Sequence, residues 1–288
     1  MSLRSAADPP FRVVVAGLVR MRDCAALAAV PAAVLGIFLL PESRRQSLTF
    51  VYTDPSLSTA FTAHFVHFRV SHLASNLLGY VVFAGLSYLL ATLADRRRLF
   101  GAATATYLLA LPPVLSALNL AVPRRAVGYG FSGVTAAFAG LLAVLLPLYA
   151  RSRLVPWVDY RHAPAVFFVV LAIATVVALP PSTTSLGVGL TCGLLGAYYV
   201  RALDIDRRRV GRPGTAGSTR GWLELFVVAT VSCLGFPVVG FGAGTSHVAT
   251  VPNDYVHLLG FCLGFLGPYV SLAVGPFGAD RAADEPTG

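Results

Sequence analysis

The sequence predicts an all-α fold, a polytopic transmembrane helical bundle with about eight spans and a cytoplasmic N-terminus. Three observations predict this class. Of the 288 residues 56% are hydrophobic and only 12% are charged, about half the charged share of a soluble domain. The apolar residues form charge-free runs of about 20 residues, the length that crosses the hydrocarbon layer as a helix. The composition also excludes disorder, collagen and coiled coils, which need polar, Gly-X-Y or heptad-charged sequence.

The positions of the apolar runs define the spans. The run 163–200 is about twice the length of one span and is interrupted by Pro180-Pro181, so we predict a hairpin of two helices there. The predicted spans are 24–41, 72–94, 99–121, 131–150, 163–180, 185–202, 223–241 and 254–274. They form one transmembrane domain, 24–276, between a cytoplasmic segment 1–23 and a flexible tail 277–288.

The basic residues predict the orientation. All 22 are Arg, and they lie in short clusters between the apolar runs. A cytoplasmic N-terminus places 17 of them inside and 5 outside, which is the bias expected of cytoplasmic loops. We therefore interpret the net charge of +9 as a topology signal of a multi-pass protein in the lipid bilayer of the cell membrane, without a nucleic-acid partner.

The cysteines give no sign of a disulfide framework or a zinc site. All four lie within apolar segments and none forms a CxxC pair, so we interpret them as small buried hydrophobic residues. They are Cys24, Cys192, Cys233 and Cys262.

Three groups of polar residues lie at the ends of spans, and the predicted topology places all three at the same depth in the membrane. His72 and Asn76 begin the second span with the i, i+4 spacing that places both side chains on one helix face. Ser132 lies in a GFSG sequence where an outer loop enters the fourth span, and His257 begins the last span. Because polar groups are costly in a bilayer and usually functional, we predict that the three groups form one site.

These residue types are suited to acyl transfer. A serine hydroxyl is a weak nucleophile until a base takes its proton, and histidine is the side chain suited to that near neutral pH. Acyl transfer also needs donors directed at the developing oxyanion. A neutral His72, the Asn76 amide and the backbone N–H of Ser132 can supply them.

Glycines support the same interpretation. Gly130 and Gly133 flank Ser132 and allow a substrate backbone to approach closely. Gly260 and Gly264 form a small-xxx-small face that allows tight packing of the last helix. If its neighbour is the Ser132 helix, His257 comes within hydrogen-bond reach of the serine.

The motifs GxSG, HxxxN and HxxGxxxG together resemble the rhomboid family of intramembrane serine proteases. The resemblance covers about 24–150, including an earlier histidine at His67, and then the final span. It implies a rhomboid-like core that hydrolyses peptide bonds in or near the transmembrane segments of single-span or multi-span membrane proteins, without metal or cofactor. The implied roles are Ser132 as nucleophile, His257 as base, His72 and Asn76 as oxyanion donors, and Gly130 as the residue that shapes the loop.

The chain departs from the family's pattern in the position of the base. The family's histidine lies about two helices after the serine helix, whereas His257 lies four spans later, and Leu186 stands at the usual distance. Either two helices (163–203) are inserted, or 185–200 is the true counterpart and the dyad is lost. We favour the insertion, because an even number of added helices preserves orientation and, of these two candidate helices, only the last span has a histidine.

Two smaller departures concern aromatic residues. Ala136 replaces the aromatic residue that often supports the histidine one turn after the serine. The first outer loop has no Trp-Arg pair, and Trp157 and Trp222 fit the cytoplasmic interface as anchors.

Two other functions stay open from the sequence. A lost base leaves a catalytically inactive rhomboid-like protein that binds membrane clients, and polar residues in spans also suit a small-solute transporter. A metal site of His64, His67 and His72 is not expected, because HExxH is missing.

The region before the last span has a predicted role by its position. We expect the loop 242–253 and the span before it to act as cap and lateral gate. Asn253, Asp254 and Tyr255 are expected to cap the last helix, where the charge of Asp254 favours the positive helix end.

Overall fold

The computed structural model describes residues 10–122, 125–210, 220–241 and 254–275, with the backbone alone from 203 to 210. The described residues form α-helices, two single-turn 3₁₀ helices and one two-stranded ribbon. The α-helices are α1 (Phe11–Leu18), α2 (Met21–Phe38), α3 (Glu42–Ser47), α4 (Leu57–Thr62), α5 (Val70–Leu93), α6 (Arg97–Leu109), α7 (Leu111–Asn119), α8 (Ser132–Arg153), α9 (Ala163–Ala178), α10 (Thr183–Val210), α11 (Trp222–Phe241) and α12 (Asp254–Val274).

Six described helical segments are long and apolar enough to cross a membrane, and a seventh crossing results if the bent pair α6–α7 counts as one span. The six are α2, α5, α8, α9 with the 3₁₀ turn before it, α11 and α12. The sixth predicted span, 185–202, lies within α10, which is not among the six. The chain is therefore an all-α, multi-pass membrane protein.

The third predicted span, 99–121, is not one continuous helix. α6 and α7 meet at Ala110 with a bend of 50°. Pro112 and Pro113 lack the N–H groups that would continue the hydrogen bonds of α6, and their rings clash with the preceding turn. The sequence pattern of charge-free residues did not distinguish this break from a straight span.

The N-terminal segment contains a helix that the span prediction did not include. α1 has apolar side chains at i, i+3, i+4 and i+7, namely Phe11, Val14, Val15 and Leu18, and these pack against the hydrophobic core. A helix of this length is too short to span a bilayer, and its apolar stripe instead lies on the bundle. The tail 277–288 lies outside the described residues.

α8 is the central helix of the bundle. Every residue from Gly133 to Ala150 is buried, and α5, α9, α11 and α12 pack around it. α5 runs parallel to α8, since the Thr135 hydroxyl reaches the carbonyl of Asn76 (3.5 Å) and Arg153 Nε donates to the carbonyl of Leu93 (2.9 Å).

α12 also runs parallel to α8. Gly260 lies against Gly133 near the beginning of both helices, and Gly264 lies against Ala137 one turn further along. α5, α8 and α12 therefore begin at the same end of the bundle, which we call the site end.

The hairpin of α9 and α10 lies beside this core. Phe167 of α9 stacks on Phe261 and Phe265 of α12, with ring centroids 5.5 and 4.3 Å apart. α10 packs chiefly on the outside of α9. The hairpin thus adds two helices without separating α12 from α8.

The connection between α2 and α5 folds over the site end. It contains α3, α4, a 3₁₀ turn (Ala63–Phe65) and the strand β1 (Phe50–Val51). β1 pairs antiparallel with β2 (Val127–Gly128), with Phe50 opposite Gly128. This pairing joins the connection to the segment that leads into Ser132.

Candidate active site

Ser132 is the first residue of α8 and is half-buried. The preceding residue, Phe131, has a fully buried ring that packs between Phe65 and Tyr80, with centroids 5.6 Å from each. Phe131 makes no side-chain cap to the first turn. The N–H groups of that turn and the positive end of the helix dipole favour negative charge beside Ser132.

Gly130 is the point at which the oxyanion candidates converge. Its φ of +113° is a conformation that residues with a Cβ avoid. A Cβ at this position would lie 2.8 Å from His72 Cε1, 3.1 Å from His72 Nε2 and 3.9 Å from Asn76 Nδ2. The backbone N–H of Gly130 donates to the carbonyl of Ala63 (3.0 Å), which holds the loop in place.

Asn76 is buried and shares a hydrogen-bond acceptor with the start of α8. Its Nδ2 lies 2.9 Å from Nε2 of His67, and the backbone N–H of Phe131 lies 3.3 Å from the same nitrogen. Because a backbone N–H can only donate, His67 Nε2 is the acceptor and the ring proton lies on Nδ1. Burial chiefly, and the neighbouring imidazole of His72 next, lower the pKa of His67 to about 4, so the ring is neutral at physiological pH.

His257 lies in the first turn of α12 with its Nδ1 2.7 Å from the carbonyl oxygen of Gly240. Since a carbonyl oxygen only accepts, Nδ1 carries the proton and Nε2 carries the lone pair. A general base for serine needs this tautomer. The predictions from the sequence did not include Gly240, because nothing in the local sequence marks a carbonyl that meets a residue 17 positions later.

Glycines allow very close contact between α8 and α12. A Cβ on Gly260 would overlap the carbonyl oxygen of Gly133, and a Cβ on Gly264 would overlap the backbone of Ala137. In the same crossing, a Cβ on Gly140 would lie 2.6 Å from the backbone nitrogen of Phe265. The backbones of the two helices therefore touch at three glycines.

Ser132 and His257 are sequence neighbours of two residues that touch at this crossing. Ser132 precedes Gly133 on α8, and His257 follows Val256 on α12. A Cβ on Gly133 would lie 3.0 Å from the side chain of Val256 and 3.5 Å from its carbonyl oxygen. Within the described residues no hydrogen bond joins Ser132 Oγ to His257. In serine hydrolases without substrate this bond is often long and forms fully only when substrate is present.

The close packing of α12 leaves no room for an aromatic residue at position 136. The Cβ of Ala136 would lie 3.1 Å from a Cβ on Gly260, so an aromatic side chain on α8 would collide with α12. Phe241 of α11 instead packs against the imidazole of His257, with ring centroids 5.8 Å apart and planes at 74°.

Leu186 lies away from this site. Its side chain is 69% exposed on α10, whose closest partner is α9. Of the two candidates for the position of the base, only α12 packs tightly on the serine helix.

A second serine–histidine pair lies between the connection and α7. His64 Nε2 is 3.0 Å from Ser116 Oγ, and Ser116 Oγ donates to the carbonyl of Ala60 (2.8 Å). The hydroxyl proton is therefore already bonded to a backbone oxygen, and both side chains are buried. Burial lowers the pKa of His64 to about 4. This pair fastens the connection to α7.

The described residues contain no group of three or more His, Cys, Asp or Glu that could hold a metal ion. His64 and His67, considered above with His72, are bonded to Ser116 and Asn76 instead. The predicted cap 242–253, including Asn253, lies outside the described residues. Asp254 is the first residue of α12, and its Oδ1 is buried without a hydrogen-bond partner among the described residues.

Comparisons with protein-family models, with curated proteins and with solved structures return no match for this chain. The assignment of a class of activity therefore depends on the residues of the site.

Proposed function

We propose that this chain is a serine endopeptidase that cleaves peptide bonds in or near transmembrane segments, with Ser132 as nucleophile and His257 as general base. The observation that carries the proposal is the glycine-mediated contact of α12 with α8, which brings the first turns of the two helices together. The tautomer fixed by Gly240 supports it, because it leaves on Nε2 of His257 a lone pair that can take a proton.

The proposed reaction has two stages. Ser132 Oγ attacks the scissile carbonyl carbon while His257 Nε2 takes the hydroxyl proton, and the carbonyl oxygen becomes an oxyanion. Collapse of this intermediate breaks the C–N bond, and His257 gives its proton to the leaving amine. Water then attacks the acyl-enzyme with His257 again as base, which releases the carboxylate and regenerates Ser132.

The residues around Gly130 suit the oxyanion. His72 and the Asn76 amide approach Gly130 from α5, and the N–H groups at the start of α8 lie beside it. Donors fixed in advance and partly shielded from water stabilise a developing charge more than water does. Removal of one such donor costs roughly 10²–10³ in kcat.

The resemblance to the rhomboid family implies the proposed substrate class, and the position of the site in a multi-pass membrane protein is consistent with it. A helical backbone keeps its carbonyl groups bonded internally, so a transmembrane segment must unwind before Ser132 can attack it. The site end is the end from which water reaches the serine. In the orientation that the positive-inside rule predicts, the site end lies on the outer side of the cell membrane.

The resemblance to the rhomboid family gives further support. In our proposal α9 and α10 are an inserted hairpin, α12 supplies the base, and Phe241 provides the aromatic contact that Ala136 does not. A catalytically inactive client-binding protein is the second candidate, favoured by the lack of a Ser132–His257 hydrogen bond among the described residues.

Cleavage of a membrane substrate tests the proposal. Purified protein is reconstituted in liposomes with a single-span substrate whose helix is interrupted by Gly-Pro near its outer end. We expect Ser132→Ala and His257→Ala each to reduce the cleavage rate by roughly a thousandfold or more. The matched control is Ser116→Ala, which alters the other serine–histidine pair and should keep the rate within about threefold while the variant is folded.

The outcomes separate the candidates. Cleavage that survives in Ser132→Ala contradicts the proposal. A wild-type protein that retains the substrate without cleaving it favours the inactive client-binding protein.

A further inference from the structure

His67 lies at the meeting point of the oxyanion candidates and the nucleophile's helix. Its side chain is fully buried between the 3₁₀ turn and α5. One nitrogen, Nε2, accepts from the Asn76 amide on α5 and from the Phe131 N–H that precedes Ser132. The proposed mechanism above does not use this residue.

The shared nitrogen determines how the Asn76 amide is turned. Since Nε2 carries no proton, the atom of Asn76 that faces it must be a donor, which places the NH₂ group there and not the carbonyl oxygen. An amide NH₂ has two N–H bonds in one plane. With one bonded to His67, the other remains available toward Gly130, where Nδ2 lies 3.9 Å from a Cβ position.

The backbone of His67, as well as its ring, is held by a hydrogen bond. Arg45 Nη1 donates to the carbonyl oxygen of His67 at 2.6 Å. The Arg45 guanidinium lies 4.9 Å from the ring centre of Phe38 and 5.3 Å from that of Phe68, within the range of cation–π attraction. These contacts hold the backbone from which the imidazole of His67 reaches Asn76.

We propose that His67 is a positioning residue for the reaction at Ser132: its Nε2 turns the Asn76 amide toward the oxyanion and fixes the first turn of α8. The inference rests on the proposed function and adds to it a residue that touches neither substrate nor reacting atoms. His67 acts only as a neutral hydrogen-bond acceptor, so a side chain that keeps an acceptor at the same place keeps the effect.

Two substitutions separate the acceptor from the shape of the ring. In His67→Gln the Oε1 atom reaches about as far as Nε2 and still accepts, whereas His67→Leu fills similar space without an acceptor. A fluorophosphonate, which phosphonylates an activated serine with loss of fluoride, is the probe in both cases. The labelling rate of Ser132 is measured on full-length protein in detergent at a series of probe concentrations. The two quantities compared are the maximal labelling rate and the probe concentration that gives half of it.

We expect His67→Leu to lower the maximal labelling rate of Ser132 by roughly 10–100-fold, with the half-maximal concentration within about twofold. His67→Gln should recover most of that rate. Equal losses in both variants, or a loss that appears only in the half-maximal concentration, would overturn the inference. A loss that merely follows a fall in thermal stability would overturn it as well.

A spectroscopic arm keeps this test separate from that of the proposed function. ¹⁵N resonances of His67 at pH 7 should show a protonated Nδ1 and an unprotonated, hydrogen-bonded Nε2, and the Asn76 NH₂ signal should shift in His67→Leu but much less in His67→Gln. The opposite tautomer, or an Asn76 signal indifferent to both variants, contradicts the inference. If wild type is not labelled at Ser132, the proposed function fails, and these signals still decide whether His67 orients Asn76.

Discussion

At the residue scale, Gly130 meets two constraints that only glycine satisfies. Its φ is +113°, and the space that a Cβ would occupy contains the imidazole of His72 at 2.8 Å. We expect Gly130→Ala to lower the free energy of unfolding by about 1–3 kcal/mol and to reduce labelling of Ser132 by a fluorophosphonate at least as strongly as loss of one oxyanion donor, roughly 100-fold.

Gly85→Ala is the matched control, because Gly85 is helical in α5 and a Cβ there meets nothing within 4 Å. That variant should change stability by no more than about 1 kcal/mol and leave labelling intact. Labelling that survives in Gly130→Ala would show that His72 and the loop do not form the oxyanion site.

Because the imidazoles of His64 and His67 are buried, we expect the free energy of unfolding to fall in acid. Burial lowers the pKa of each to about 4 from an ordinary value of 6.5. Between these values the unfolded chain binds more protons at the two histidines than the folded one, so their contribution to the free energy of unfolding is fully present above pH 6.5 and is lost as pH decreases toward 4. Thermal unfolding in detergent from pH 7.5 to 4.5 measures this.

The double variant His64→Gln with His67→Gln is the comparison, and its unfolding temperature should depend less on pH over the same interval. An equally steep dependence in the double variant would assign the effect to other groups.

Sequence motifs identify the residues to which we assign the proposed chemistry and miss the contacts that orient them. Ser132 and His257 stand out because hydroxyl and imidazole groups in apolar spans are costly and rarely accidental. The bonds from His67 to Phe131 and from His257 to Gly240 join residues 64 and 17 positions apart. Such contacts depend on how the helices pack, which no local pattern encodes.

At the element scale, the crossing of α8 and α12 requires glycine at specific positions. A Cβ on Gly264 would overlap the backbone of Ala137, whereas a Cβ on Gly267, one turn later in the same helix, meets nothing within 4 Å. We expect Gly264→Ala to destabilise the protein by about 1–3 kcal/mol through overpacking and to slow labelling of Ser132, because α12 is displaced from α8.

Gly267→Ala should stay within about 0.5 kcal/mol of wild type. Thermal unfolding of the two variants side by side provides the measurement. Equal stability of the two would contradict the tight helix crossing.

The apolar runs predict where the helices lie more reliably than how each is divided. α5, α8, α11 and α12 fall within a few residues of their predicted spans, because about 20 apolar residues have few other stable arrangements in a bilayer. The break between α6 and α7 and the short helix α1 were missed. The break was missed because Pro112 and Pro113 interrupt a helix without interrupting the apolar run. Helix α1 was missed because its apolar stripe has only four residues.

At the scale of the whole molecule, the two ends of the bundle differ in how they are held. Away from the site end, Arg153 of α8 donates to the carbonyl of Leu93 on α5. Its guanidinium lies 4.7 Å from the ring centre of Trp222 on α11. The carbonyl of Trp222 in turn accepts from the hydroxyl of Tyr149 on α8. These contacts join α5, α8 and α11 where the arginine clusters lie. The site end is held by the connection between α2 and α5 and by the contacts of His67.

The arginine distribution predicts how the whole molecule is oriented in the membrane. Asp54 near the site end and Arg98 at the opposite end are both exposed. In a variant without the four native cysteines, Asp54→Cys should react with a membrane-impermeant maleimide in intact cells, and Arg98→Cys only after permeabilisation. The reverse pattern would place the site end in the cytoplasm.

The dyad is the central claim, and the position of a covalent adduct tests it most directly. Wild-type protein treated with a fluorophosphonate should carry one adduct, found by mass spectrometry on the peptide that contains Ser132, and His257→Ala should form that adduct at least roughly a thousandfold more slowly. An adduct on Ser116 or another serine, or an undiminished rate at Ser132 in His257→Ala, would contradict the claim.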